Sequence, residues 1–279
     1  MIDFHVHSEA YNWQDMELMS LSGIKAVISN TYYPHMVAIT TQKIEDFFER
    51  LTGLQSWLLE MNFIRLFVAC GVNPMSVPVD YEVFIKRIPD YLIKKDIFVA
   101  IGEVGIDHRS ETCRDLKIQE NILKEQLYIA KKHNMPVIIH TPPESVESGI
   151  QAKWLDAGNR AEEIIERDLD LVKEVGNNPN LIVIDHLSSR KMIEKVINFG
   201  AHAGVTIQPW RNLTAGQIIP LIKDFDLSRI LVSSDSGPLR SECLAVPKVA
   251  LEMKKAGFSG DAIRKITMDN PCSLFKLPL

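Results

Sequence analysis

Short apolar runs rich in β-branched residues alternate with amphipathic segments along most of the chain. The runs have the length of strands and are nearly continuously apolar, which is typical of parallel strands covered on both faces. The predicted strands are 2–6, 25–29, 64–70, 97–102, 136–140, 181–185, 203–207 and 230–234. The segments with helical spacing are 41–60, 80–95, 115–133, 161–176, 190–199, 215–225 and 242–256.

This alternation predicts a parallel sheet with helices between its strands. In a chain of 279 residues, eight repeats favour a closed (β/α)8 TIM barrel over an open doubly wound sheet. No Gly/Ser/Pro-rich linker divides the sequence, so we interpret residues 1–279 as a single domain. The longest predicted loop, 141–160, follows strand five, and loops of this length commonly serve as lids or binding loops.

Composition and charge argue against some classes of function, such as binding to nucleic acid or to a membrane through overall positive charge. The net charge of -5 gives no overall attraction to nucleic acid or to an anionic membrane, so a nucleic-acid substrate would need a local basic patch or bridging metal ions. The four cysteines form no C-x-x-C pair, which is typical of unpaired thiols in a reducing cytoplasm. No apolar stretch approaches the ~20 residues of a membrane span. A predicted strand that begins at residue 2 leaves no room for a signal peptide, and we expect a cytoplasmic protein.

Ionisable side chains gather at the C-terminal ends of the predicted strands. His5 and His7 end strand one, and residues two apart in a strand point to the same side, so these imidazoles aim at one point. Closing a barrel brings the C-terminal strand ends to one mouth, where barrel enzymes build their sites. The residues that share this position are His5, His7, Glu103, His140, His186 and Asp235.

These six residues predict a metal centre. A single histidine after a strand is more often a surface or capping residue than a ligand, so the coincidence of all six carries the prediction. Six nitrogen and oxygen ligands exceed the three that a catalytic zinc usually takes from protein, and they suit two divalent ions about 3.5–4 Å apart. The sequence does not distinguish among zinc, manganese, magnesium and cobalt.

The same motifs resemble those of the TatD family of metal-dependent hydrolases, in the amidohydrolase superfamily. The resemblance runs from His5 to the segment Asn270-Pro271-Cys272-Ser273-Leu274-Phe275, which is similar to the closing helix of that family. It implies one metal bound by His5, His7, Glu103 and Asp235, and a second bound by Glu103, as a bridge, with His140 and His186.

The chain also departs from the family pattern. Pro142 stands where the family often has an arginine, and Leu187-Ser188-Ser189 replaces a segment that usually contains cysteine and glycine. His108 and Arg109 follow Asp107, where the family has an aromatic residue. We therefore expect a divergent member of the family.

The leading prediction is a phosphodiesterase similar to deoxyribonucleases, acting on a nucleic acid or on a small molecule. A metal pair would lower the pKa of a bridging water toward neutrality, and Asp235 is the predicted general base that takes its proton. Candidate binders of an anionic substrate are the arginines in loops or at helix starts after strands. They are Arg109, Arg190, Arg211 and Arg240.

Three alternatives stay open at this point. An amidohydrolase acting on an amide, ester or lactone bond of a small metabolite would use similar ligands, although strand four lacks the carboxylated lysine of dihydroorotase-like relatives. A PHP-type phosphoesterase has a similar first motif but usually continues with S-D-G, whereas Glu9-Ala10-Tyr11 follows here. The third alternative is a barrel whose site binds a ligand without catalysing a reaction. Such a protein would bind its metal ions fully and show no activity against any substrate in a screen. The sequence leaves the metal, the substrate and the oligomeric state open.

Overall fold

Eight parallel strands form a barrel with helices packed around it. The structure is a computed structural model that describes residues 1–32, 39–142, 160–208, 213–237 and 242–279. The strands follow one another around the sheet in chain order. They are β1 (Ile2–Val6), β2 (Ala26–Asn30), β3 (Arg65–Ala69), β4 (Phe98–Gly105), β5 (Val137–His140), β6 (Ile182–Ile184), β7 (His202–Thr206) and β8 (Ile230–Ser233). The predicted TIM barrel is confirmed, and each predicted strand overlaps an observed one.

The helices connect successive strands, and the last three follow the final strand, β8. They are α1 (Trp13–Leu21), α2 (Thr41–Arg50), α3 (Ser56–Met61), α4 (Tyr81–Leu92), α5 (Leu116–His133), α6 (Arg160–Val175), α7 (Arg190–Phe199), α8 (Ile218–Ile222), α9 (Ala245–Lys255), α10 (Gly260–Arg264) and α11 (Asn270–Phe275). One π-helical segment, Leu51–Gln55, joins α2 to α3, so the predicted helix 41–60 consists of three pieces. Within the described ranges, no helix is long and apolar enough to cross a bilayer.

Two backbone hydrogen bonds close the barrel between its first and last strands. The amide of Asp235 donates to the carbonyl of His5 at 2.9 Å, and the amide of His7 donates to the carbonyl of Ser236 at 2.7 Å. Since closure leaves no unpaired sheet edge, it stabilises the fold. It also places the His5–His7 pair beside Asp235, although the two lie at opposite ends of the sequence.

Two apolar clusters hold the barrel together. The larger cluster packs the helices against outward-facing strand residues such as Val27, Val68 and Ile184. The smaller one draws on alternate strand positions, including Phe4, Phe67 and Ile138, and fills the barrel interior. Helix α11 contributes Phe275 to this cluster, with its ring stacked 6.2 Å from that of Phe4. The interior is therefore apolar below the mouth at which the predicted ligands lie.

The strand pairing is irregular at two of the predicted ligands. The register between β1 and β2 shifts between Asp3 and Val6, on either side of His5. The register between β4 and β5 shifts between Gly102 and Val104, on either side of Glu103. Pairing then continues beyond the predicted end of strand four, so Glu103 lies within β4 rather than after it. Bulges of this kind redirect side chains and are common beside active sites.

Candidate metal centre

The mouth of the barrel brings together all six predicted ligands, and all six are buried. They are His5, His7, Glu103, His140, His186 and Asp235. The ring centroid of His5 lies 5.3 Å from that of His7 and 5.0 Å from that of His186. The ring of His186 in turn lies 5.0 Å from that of His140. The four imidazoles thus form a continuous row, which we call the histidine row.

Asp235 contacts one end of the histidine row. Its Oδ1 atom lies 3.0 Å from His7 Nε2 and 3.6 Å from His5 Nε2. Its other oxygen accepts a hydrogen bond from the side-chain amide of Gln208, which follows β7. Gln208 therefore fixes the plane of the carboxylate and leaves Oδ1 facing the histidines.

Glu103 contacts the other end of the row. Its Oε1 atom lies 2.5 Å from His140 Nδ1 and 2.7 Å from His186 Nε2. Its Oε2 atom accepts a hydrogen bond from Asn73 Nδ2 at 2.7 Å and lies 3.8 Å from His5 Nε2. Glu103 thus reaches three of the four histidines, which is the placement that a bridging ligand requires.

Two overlapping groups of ligand atoms could each hold a metal ion. The atoms of each group lie within 4.8 Å of one another. One group is His5, His7 and Asp235, and the other is His5, Glu103 and His186. The resemblance implied that Glu103 is the shared ligand, whereas His5 is common to these two groups.

The donor set fits divalent cations. The Nε2 atom of His5 is buried and has no hydrogen-bond partner among the described residues, although it faces the carboxylates of Glu103 and Asp235. A buried polar atom without a partner costs free energy, and a bound cation would satisfy both the nitrogen and the carboxylates.

Three histidines direct their Nδ1 atoms to hydrogen-bond acceptors. The bonds run from His5 to Asp185 Oδ2 (2.6 Å), from His7 to the backbone oxygen of Asn30 (3.2 Å) and from His186 to Thr206 Oγ1 (2.9 Å). A proton on Nδ1 leaves the lone pair on Nε2 available as a ligand, and metal-binding histidines are commonly held in this way.

His140 is held differently, because both of its ring nitrogens face carboxylates. Its Nε2 atom lies 2.8 Å from Asp107 Oδ2, in addition to the contact of Nδ1 with Glu103. Burial alone would lower the pKa of His140, but Glu103 and Asp107 outweigh burial and raise it to about 9. The two carboxylates therefore favour the imidazolium form of His140 when no metal ion is bound, with one ring nitrogen donating to each.

The electrostatics of the centre favour positive charge. Burial alone would lower the pKa of His5, but the nearby carboxylates, Glu103 first, raise it to about 10. Burial opposes ionisation of Asp235, yet the hydrogen bond from His7 and the neighbouring imidazoles bring its pKa to about 2. The pKa of Glu103 is held well below its usual range, against burial, mainly by His140 and His5. Protons on histidines thus occupy positions where metal cations would neutralise the same carboxylates.

The backbone is strained at two predicted ligands. His186 has φ 62° and Asp235 has φ 48°, in the left-handed region that residues other than glycine rarely adopt. Both follow the end of a strand, β6 and β8 respectively, and both point into the centre. Strain of this kind clusters at functional sites, where the surrounding structure holds it in place.

The predicted substrate-binding arginines divide into two pairs. The guanidinium of Arg109 pairs with Asp107, with Nε 2.9 Å from Oδ1. Arg190 lies 3.3 Å from the exposed carboxylate of Asp224 and 4.6 Å from the ring centroid of Phe225. Arg211 and Arg240 lie outside the described residues, as does most of the predicted loop 141–160. Substrate binding by these four arginines stays a prediction.

Four polar residues that contact the ligands were not identified from the sequence. They are Asn73, Asp185, Thr206 and Gln208. Only Asp185 offered a signal, because it is a carboxylate at the end of an otherwise apolar strand, directly before His186. An asparagine, a threonine or a glutamine near a strand end is too common to stand out without the fold.

Comparison with known proteins agrees with this site. The sequence pattern of the TatD-related DNases matches residues 2–276. A relative from Methanocaldococcus jannaschii, named an uncharacterized metal-dependent hydrolase, is 33% identical over 277 residues, which cover 99% of this chain and 100% of the relative.

Solved structures show the same fold. The TatD-like protein of Archaeoglobus fulgidus superposes with a TM-score of 0.74 at 23% identity, over 99% of this chain and 100% of that chain. The phosphotriesterase homology protein of Escherichia coli, solved with phosphate in its active site, has a TM-score of 0.69 at 12% identity, over 98% of each chain. On the match along almost the whole sequence, the protein belongs to the family of TatD-related DNases and is a metal-dependent hydrolase.

Proposed function

We propose that this hydrolase is a phosphodiesterase that uses two divalent metal ions and Asp235 as its general base. The observation that carries the proposal is the pair of overlapping ligand groups that share His5. Paired divalent ions supply Lewis acidity to the attacking and leaving oxygens of a displacement at phosphorus. Membership in a family of DNases supports a phosphodiester substrate, either in a nucleic acid or in a smaller molecule.

We assign the ligands as follows. Following the resemblance, His5, His7 and Asp235 would hold one ion with Glu103, and Glu103 would hold the other with His140 and His186, although His140 belongs to neither of the two ligand groups. The short contacts of Glu103 with both later histidines support its bridging role.

Asp235 is suited to accept a proton. Its carboxylate is ionised at neutral pH, because the imidazoles around it bring its pKa to about 2. Gln208 holds one carboxylate oxygen, and Oδ1 faces the histidine row, where an attacking water would lie. A general base needs this hydrogen-bond reach to the proton that it removes.

We propose a cytoplasmic location, which the cysteines support. Cys70, Cys113, Cys243 and Cys272 are all unpaired thiols. Unpaired thiols are usual in a reducing environment, which supports a cytoplasmic enzyme.

The test is an activity panel on metal-free protein reconstituted separately with Mn²⁺, Zn²⁺, Mg²⁺ and Co²⁺. The substrates are bis(p-nitrophenyl) phosphate, p-nitrophenyl phosphate, p-nitrophenyl acetate, a p-nitroanilide, and single- and double-stranded DNA. We expect phosphodiesters to be hydrolysed at least tenfold faster than the other classes. Hydrolysis of the anilide or ester alone would favour the amidohydrolase alternative, and full metal loading without any turnover would favour a binding protein.

A further inference from the structure

Asp185 is a completely buried carboxylate behind the histidine row. Its Oδ2 atom accepts the hydrogen bond from His5 Nδ1 at 2.6 Å. Its Oδ1 atom accepts one from Thr206 Oγ1 at 2.9 Å and one from the backbone amide of His186 at 2.8 Å. All three partners are therefore donors, and they use both carboxylate oxygens.

We propose that Asp185 is a positioning residue that sets the proton positions of two predicted metal ligands, His5 directly and His186 through Thr206. The inference rests on the proposed metal centre for its consequence, but not for the hydrogen bonds themselves. One carboxylate would then orient a ligand from each of the two metal sites.

The Thr206 hydroxyl transmits the effect to His186. A hydroxyl has a single proton. Thr206 Oγ1 lies 2.9 Å from Asp185 Oδ1, which can only accept, and 3.1 Å from Ser233 Oγ, which has a proton of its own to donate, so the proton of Thr206 goes to Asp185. Thr206 Oγ1 must therefore accept the bond that joins it to His186 Nδ1 at 2.9 Å. His186 then carries its proton on Nδ1 and presents the lone pair of Nε2 to the centre. The Nδ1 proton of His5 is likewise bound by Asp185, so the proton that a metal ion displaces from His5 is the one on Nε2.

The neighbouring strand leaves room for this carboxylate. A Cβ atom at Gly204, in β7, would lie 3.0 Å from both the Cα and the Cγ of Asp185 and still closer to its Oδ1 atom. Contacts that short do not occur between real side chains, so only glycine at position 204 lets Asp185 lie against β7.

Replacing Asp185 by asparagine gives a sharp test, because an amide has the same shape but only one acceptor atom. The backbone amide of His186 cannot change its role as a donor, so the amide oxygen must stay on that side. The NH₂ group then faces His5 Nδ1, which has to become an acceptor. His5 can then carry a proton only on Nε2, and that proton blocks metal binding.

The experiment uses full-length, metal-free protein labelled with ¹⁵N-histidine at pH 8. Long-range ¹H–¹⁵N correlation reports which ring nitrogens of His5 and His186 carry protons. In Asp185→Asn we expect His5 to lose its Nδ1 proton, and the affinity for Zn²⁺, measured by competition with a chelating dye, to fall by roughly 10–100-fold. In Thr206→Val we expect His186 to change while His5 keeps its Nδ1 proton.

The controls separate positioning from a general loss of stability. Thr206→Ser keeps the hydroxyl and should retain the wild-type proton positions and Zn²⁺ affinity. Asp226→Asn removes the charge of an exposed carboxylate that accepts from the Ser228 amide, and it should change neither readout. If Asp185→Asn does not fold, an unchanged His186 in Thr206→Val still overturns the proposal, and a change that is absent from Thr206→Ser supports the link through Thr206.

Two results would overturn the inference. The first is an Nδ1 proton on His5 and near-normal Zn²⁺ affinity in folded Asp185→Asn. The second is an unchanged His186 in Thr206→Val. Wild-type protein that binds no divalent ion would instead reject the proposed function, while the proton positions would still decide the role of Asp185.

Discussion

At the scale of single residues, the carboxylates of the centre fall into two groups. Glu103 contacts His140 and His186, Asp235 contacts His7, and both carboxylates approach the Nε2 atom of His5. Asp107 and Asp185 each contact one imidazole and are also held by other donors, such as Arg109. We therefore expect substitutions in the first group to act directly on metal content or chemistry, and substitutions in the second group to act on metal binding through the orientation and proton positions of the histidines.

Glu103→Gln tests the bridging ligand. The change keeps the shape of the side chain but removes the charge that offsets two dications, so we expect less than the wild-type metal content with the fold retained. Elemental analysis and circular dichroism on the same sample measure both. Glu120→Gln is the matched control, because Glu120 pairs with Arg167 on the protein surface. Wild-type loading in Glu103→Gln would rule out the bridge.

Asp235→Asn separates catalysis from binding. The amide keeps one ligand oxygen but is not a base, so we expect kcat to fall by roughly 10²–10⁴, with little change in KM. The ion held by Glu103, His140 and His186 should stay bound. Steady-state kinetics on the best substrate of the panel, with metal analysis of the same preparation, provide the test. A near-normal kcat would remove Asp235 from the mechanism, and loss of all metal would make it primarily a ligand.

At the scale of elements, helix α5 holds two of the loops that support the centre. Its buried Gln119 accepts from the amide of Asp107 at 2.7 Å and donates to the carbonyls of Asp107 and Cys113 at 3.0 and 2.6 Å. Two turns later, Gln126 accepts from the amide of Val72 at 2.6 Å, next to Asn73. The loops after β3 and β4 are thus fixed by side chains of one helix.

Gln119→Met tests this support. Methionine has a similar size and helix propensity, but it leaves the buried backbone groups of Asp107 without their partners. We expect the free energy of unfolding to fall by about 2–3 kcal/mol, as measured by urea denaturation. Gln42→Met, on the exposed face of α2, is the control and should stay within about 0.5 kcal/mol of wild type. An equally small effect at Gln119 would mean that water or a shifted loop replaces these bonds.

The elements differ in how far the sequence predicts them. The strands are predicted because parallel strands buried on both faces are apolar runs, whatever their partners. The sequence pattern does not predict helix α1, because its apolar residues lie on both faces of the helix. Met16 and Met19 are buried, whereas Leu18 and Leu21 are exposed. The predicted helix 215–225 is shorter in the structure, at Ile218–Ile222. Element boundaries depend on hydrogen bonds to distant segments, which periodicity does not contain.

At the scale of the whole molecule, closure of the barrel brings the predicted ligands together into one site. The sequence marks each of them only as an ionisable residue at a strand end, and the rule that strand ends meet at one mouth brings them together. The residues behind them could not be predicted in this way. Asp185 is 180 residues from His5, and Gln208 is 27 residues from Asp235, so their pairing depends on strand tilt and side-chain direction.

Metal binding and protonation compete across the whole centre, which gives a prediction for pH dependence. The pKa values of His5 and His140, raised to about 10 and about 9 by the surrounding carboxylates against burial, exceed the ordinary value near 6.5. Protons on these residues stabilise the metal-free fold at low and neutral pH, and this contribution is lost as pH rises through about 9–10. A divalent ion needs neutral imidazoles, so it must displace these protons.

We therefore expect Zn²⁺ binding at pH 7 to release up to about two protons, and affinity to rise about tenfold per displaced proton for each pH unit below 9. Titration calorimetry in buffers of different ionisation enthalpy measures the release. Unfolding curves with and without Zn²⁺ should separate further from pH 6 to pH 8, and a chelator should abolish the difference. His140→Gln should release fewer protons, whereas His133→Gln, at the end of α5, should release as many as wild type. If Zn²⁺ bound at pH 7 without releasing protons, these histidines would already be neutral in the metal-free protein. The metal ion would then not replace protons on them.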